Sequence, residues 1–154
     1  CHLDIIVEQH PQCGIIITHR NPLEVIGSYS SMMMAVTPKQ MQTDPREMGR
    51  RVLEHLGAQM DHSMATRENI RAERILDVQY VDFMQDSMAV VDGIYQHLSL
   101  PYPDATRQAI ATYVDKHPMG KHGSHDYKLE EFGLTEQQVL DRFANYIDTY
   151  HIEV

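Results

Sequence analysis

The stretch GIIITHRNPLEVIGSYSS, Gly14 to Ser31, decides the fold. Gly14 to Thr18 is one continuous apolar run, the composition of a strand covered on both faces. Asn21 is a good helix N-cap and Pro22 suits the first helical position, so a helix is predicted from there to about Ala35. A buried-type strand thus ends on His19-Arg20 and turns directly into a helix. In open α/β sheets, ligands bind outside the carboxyl ends of the strands. Arg20 stands at such an end, beside a helix N-terminus whose dipole and free N–H groups favour an anion. Its planar fork matches phosphate oxygens. Ser28 follows two turns later, on the side of Val25 and Met32, facing inward with a hydroxyl that can donate to an oxyanion. The plainer alternative pairs Arg20 with a carboxylate and bonds Ser28 back into its own helix.

Working outward, Cys1 to Gln12 reads as a short helix with Leu3, Ile6 and Val7 on one side. Residues 36–44 read as loop. Asp44-Pro45-Arg46-Glu47 resembles a capping box, and Met48, Val52, Leu56 and Met60 recur every fourth residue along a long amphipathic helix. Arg74 to Tyr80 (RILDVQY) is a second buried-type strand. Asp86-Ser87 can cap the next helix, whose Met88, Val91, Ile94, Tyr95 and Leu98 share a face. A helix over Asp104 to Asp115 is expected to bury Ile110, Tyr113 and Val114. Thr135 opens a final helix with Gln138 in the capping-box position and Val139, Phe143 and Ile147 inward. Strands alternating with long helices predict an α/β fold with a parallel sheet. Two strands make a poor sheet. A preceding N-terminal segment, or another copy in a homo-oligomer, is expected to supply the rest.

The 154 residues suffice for one domain with a moderate core. A net charge of −9 repels phosphate backbones, so general nucleic-acid binding is not expected, and any anionic ligand needs a local basic cluster. No apolar run reaches the roughly 18 residues of a membrane span. Cys1 and Cys13 show no metal-type spacing and read as free thiols of a reducing, cytoplasmic compartment. Ten Met suggest an adaptable core or pocket, and Met32-Met33-Met34 reads as core or acceptor-pocket lining.

THRNPLEVIGSYSS resembles the 3′-phosphate-binding segment of the sulfotransferases that use 3′-phosphoadenosine 5′-phosphosulfate (PAPS), in which an Arg ends a strand and a Ser lies eight residues on; Arg20 and Ser28 match. Three further segments resemble the family in the same order. VQYVDFMQDSMAVVDGIYQHLSLP is similar to the strand and helix that carry a tyrosine near the adenine, which implies that role for Tyr80; Val81 stands where Glu is common and Ser87 where Pro is common. GKHGSHDYKLEEFGLT is similar to the late basic-glycine loop over the 3′-phosphate, which implies Lys121, His122 and Gly123. CHLDIIVEQHPQCGIIITHRNP is similar to the segment bearing the catalytic base, which implies His2, a residue type whose ordinary pKa suits that task.

The resemblance implies a P-loop-NTPase-like α/β fold with flanking helices, helix-rich here, and sulfuryl transfer from PAPS to a hydroxyl or amine of a small-molecule, glycan or lipid acceptor. PAPS or adenosine 3′,5′-bisphosphate is the implied ligand, with no metal. No glycine-rich 5′-phosphosulfate loop occurs in the 154 residues. They are therefore expected to form the C-terminal part of a sulfotransferase domain, inactive alone. Two rivals stand beside this reading. One is a non-catalytic α/β interaction module. The other is a zinc-dependent hydrolase using His117, His122 and His125, with Asp126 as an extra ligand.

Overall fold

Two parallel strands and seven α-helices make up the described part of the chain, which in this computed structural model comprises residues 3–38, 41, 43–117 and 128–154. The order is α1 (Leu3–Gln9), β1 (Ile15–His19), α2 (Pro22–Val36), α3 (Pro45–Arg67), β2 (Ile75–Gln79), α4 (Tyr80–Gln85), α5 (Ser87–His97), α6 (Asp104–Lys116) and α7 (Glu136–Tyr150). Short 3-10 turns at Ala72–Arg74 and Leu129–Phe132 lead into β2 and towards α7.

β1 and β2 pair in parallel, Ile15 opposite Ile75 through His19 opposite Gln79. Parallel neighbours need a crossover, which α2 and α3 provide. In-register pairing brings both carboxyl ends to one edge. The helix starts follow their local signals. Asn21 accepts from the Leu23 N–H at 2.9 Å, with Pro22 next. Asp86 caps α5 through the Ala89 N–H. Thr135 and Gln138 close a reciprocal capping box at α7.

Helices α2, α3 and α7 pack on one another. Their buried core holds Ile26, Met48, Val52, Val139, Phe143 and Tyr146, with Leu129, Leu134 and Ile152 from flanking segments. Met33 and Met34 pack against it, whereas Met32 is exposed. A smaller cluster of Leu3, Ile15, Ile70 and Ile75 joins α1 to the base of the strands.

Several expectations are corrected. Tyr80 does not end the second strand; it is the first residue of α4, so strand and helix abut without a loop. β1 is not covered on both faces: Ile16 is 41% exposed and Thr18 is exposed, because the helical core lies on the side of His19 and Ile17. Ile6 of α1 is exposed and only Leu3 is buried there. Tyr113 is exposed and stacks on His117 one turn away. Asp44 caps α3 through the Arg46 N–H, but the Glu47 carboxylate turns to Arg50 and Arg51 instead of completing the box.

Candidate functional site

The site forms where the two strands end. Arg20 is the one residue between β1 and the Asn21 cap of α2, and Tyr80 follows β2 directly. Register places them together. The Arg20 guanidinium lies over the Tyr80 ring, 4.4 Å from its centroid. Such cation–π contacts contribute about 0.5–1 kcal/mol at exposed sites. Arg20 Nε also donates to Glu24 Oε2 at 2.8 Å, one turn along α2. Both side chains are about half exposed, 46% and 56%, so the pair contributes at most about 1 kcal/mol. A cleft of about 610 Å³ opens here, walled by Arg20, Asn21, Glu24, Tyr80, Met84 and Ile152.

Beneath Arg20 lies a polar network. His19 is buried at 2% exposure. Its Nε2 lies 2.8 Å from Asp77 Oδ1 and its Nδ1 3.3 Å from the Tyr146 hydroxyl. The Tyr150 ring stacks on it, centroids 4.2 Å apart. Arg67, at the end of α3, grips both oxygens of Asp77. Burial alone would raise the Asp77 carboxyl, but Arg67 and His19 outweigh it and hold the group below the ordinary carboxylate range. Burial pushes the Tyr146 phenol up, so its O–H is retained across neutral pH. The Tyr146 oxygen accepts the Arg20 backbone N–H at 3.2 Å. A second cavity of about 300 Å³ shares His19 and Arg20 with the cleft and is walled by Val25, Leu56, Met60 and Phe143. The methionines there come from α3, not from the Met32-Met33-Met34 run.

Arg20 and Tyr80 are thus brought into contact. Ser28 sits two turns along α2, half-buried and outside the cleft lining, with no side-chain hydrogen bond among the described residues. The fully enclosed serine of this helix is Ser30, at 0% exposure, whose hydroxyl has no hydrogen-bond partner among the described residues. His2, Lys121, His122 and Gly123 lie outside the described residues, as do His125 and Asp126 of the zinc alternative. His117 caps α6 and its Nδ1 lies 2.8 Å from the Tyr113 carbonyl. Among the described residues no group of three or more His, Cys, Asp or Glu has metal-binding geometry. Among the described residues Cys13 has no disulfide partner.

Sequence reasoning missed Asp77, Arg67, Tyr146 and Tyr150. The one available signal was His19, a polar residue closing an apolar strand, which demands a buried partner.

The parallel sheet flanked by helices, with an arginine and a tyrosine at its carboxyl edge beside a capped helix N-terminus, defines an α/β protein with a cleft where such folds place their ligands. The comparisons narrow the class. The sulfotransferase family model matches residues 1–104, and the chain belongs to that family. Sulfotransferase STF9 from Mycobacterium avium superposes with a TM-score of 0.88 at 28% identity, over 99% of this chain and 40% of that one. Sulfotransferase STF1 from Mycobacterium tuberculosis H37Rv superposes with a TM-score of 0.76 at 27% identity, over 93% of this chain and 36% of that one. The chain therefore spans about 40% of the length of the first of these and has its P-loop-like α/β fold, with a small parallel sheet and many helices. A comparison with curated proteins gave no match. Among the described residues no helix is long and apolar enough to cross a membrane.

Proposed function

We propose that this chain holds the 3′-phosphoadenosine end of PAPS, as part of an enzyme that transfers a sulfuryl group to a hydroxyl or amine. The observation that carries the reading is the Arg20 guanidinium poised over Tyr80 at the shared carboxyl edge of β1 and β2. Arg20 would exchange its Glu24 partner for the 3′-phosphate, aided by the N-terminus of α2. Ser28 is assigned a second hydrogen bond to that phosphate, and Tyr80 a face for the adenine. Lys121, His122 and Gly123 are assigned the closing loop, and His2 the base that takes the acceptor's proton. The donor supplies the activated sulfuryl group. The acceptor's class, whether small molecule, glycan or lipid, is left to assay. Because residues 1–154 contain no glycine-rich phosphate loop, they are expected to bind nucleotide without turnover when assayed alone.

The test is titration calorimetry with adenosine 3′,5′-bisphosphate. Arg20→Ala removes a charge-assisted hydrogen-bond pair of about 1.5–3 kcal/mol, so binding should weaken roughly 10- to 100-fold. Unaltered affinity in the Arg20→Ala variant would sink the phosphate assignment.

A further inference from the structure

Tyr146 is 5% exposed, and packing alone would accept a phenylalanine there. A buried hydroxyl must nonetheless find partners. Among the described residues its hydrogen-bond partners are His19, the last residue of β1, and Arg20, the residue after it. The Arg20 N–H lies at 3.2 Å, the Arg20 carbonyl at 3.4 Å and His19 Nδ1 at 3.3 Å. Assigned from its partners, His19 donates Nε2–H to the Asp77 carboxylate and leaves the Nδ1 lone pair for the Tyr146 O–H. The Tyr146 oxygen then accepts the Arg20 N–H. The donors run from the Arg20 N–H to Tyr146, from the Tyr146 O–H to His19 and from His19 to Asp77, which also accepts from Arg67, and each link polarises the next. On the other side of Arg20 the Asn21 cap fixes the start of α2.

We propose that Tyr146, aligned by buried His19 and the Asp77–Arg67 pair behind it, is a positioning residue that fixes the Arg20 backbone and thereby aims its guanidinium into the cleft. This rests on the reading of Arg20 as the 3′-phosphate ligand. Arg20 has a long side chain, and its direction is set by a single backbone step between strand and cap. Tyr146 clamps that step from α7, 126 positions away in sequence. Loss of the clamp lets the peptide rotate, so the anion must order it again on binding.

The test compares adenosine 3′,5′-bisphosphate with adenosine 5′-phosphate, which lacks the 3′-phosphate, by titration calorimetry on the intact protein. Tyr146→Phe conserves volume and removes one hydroxyl. It should weaken the bisphosphate about 3- to 10-fold, the scale of one neutral hydrogen bond, and leave the 5′-phosphate unchanged. In an Arg20→Ala background the same substitution should have no further effect. His19→Gln, which keeps polar atoms but loses the aligned ring, should reproduce the selective loss and serves if Tyr146→Phe fails to fold. Equal weakening of both nucleotides, no weakening of the bisphosphate, or full additivity with Arg20→Ala each overturns the positioning role. Failure of the underlying reading looks different: Arg20→Ala leaves the bisphosphate unaffected, or the unsubstituted protein binds both nucleotides alike or neither.

Discussion

Arg20 was legible because two local signals converge on it: the end of an apolar run and an Asn-Pro helix start. What lies under it was not. His19 and Asp77 meet only because β1 and β2 pair in one register, and Tyr146 arrives from the last helix. The same network sets a pH dependence. The folded-state pKa of Asp77 lies below its ordinary value. Its contribution is therefore fully present above the unfolded carboxylate pKa and is lost as pH falls through the lower folded value. Melting temperature followed against pH should drop on the acid side. Asp77→Asn should lower stability at neutral pH, where Arg67 and His19 lose their charged partner, and flatten that acid limb. An acid limb identical in the variant would remove Asp77 as its source.

Caps and periodicity carried the elements. Asn21, Asp86 and Thr135 each accept an orphan N–H as their residue types suggest. Thr135→Ala should cost about 1 kcal/mol. For a chain of this size that is roughly 2–4 °C in melting temperature, readable by circular dichroism. Where two local solutions competed, pattern could not choose. Glu47 was free to close a box with Asp44 or to bind arginines, and Arg50 and Arg51 hold its carboxyl down to about 2. The short elements also depend on close approach. Gly133 sits at φ 65, in the left-handed region, after the Leu129–Phe132 turn. At Gly49 of α3 an added Cβ would collide with the Phe132 carbonyl oxygen and lie 2.7 Å from the Phe132 Cβ. Gly49→Ala should therefore destabilise by about 1–3 kcal/mol, even though alanine is the better helix former. A raised denaturant midpoint in that variant would contradict the packing described.

Across the whole molecule, stability concentrates in the α2–α3–α7 core. Phe143 is 5% exposed there, beside Val139 and Tyr146. Phe143→Ala should cost about 3–5 kcal/mol, a large share of what a domain this size has to lose. A urea titration should show the midpoint fall with an unchanged slope if only the cavity matters. The strand pattern misled at this scale. The run from Gly14 to Thr18 has three consecutive isoleucines, yet Ile16 and Thr18 remain exposed while His19 is buried. Composition reports how apolar a strand is, and not which neighbours cover each face.

The sequence by itself determined the α/β class, the helix starts, the parallel pair and the presence of a basic residue at the end of β1. The helix starts at Asn21, Asp86 and Thr135 depend on contacts within a turn, where residue type and spacing carry the physics, and the α/β class with its parallel pair follows from the alternation of strand and helix signals. Tertiary packing placed Tyr80 under Arg20, enclosed Ser30 in α2, and linked the Arg20 peptide through Tyr146 and His19 to Asp77. Those facts follow from register and packing between segments up to 127 positions apart, and no local window of sequence encodes them.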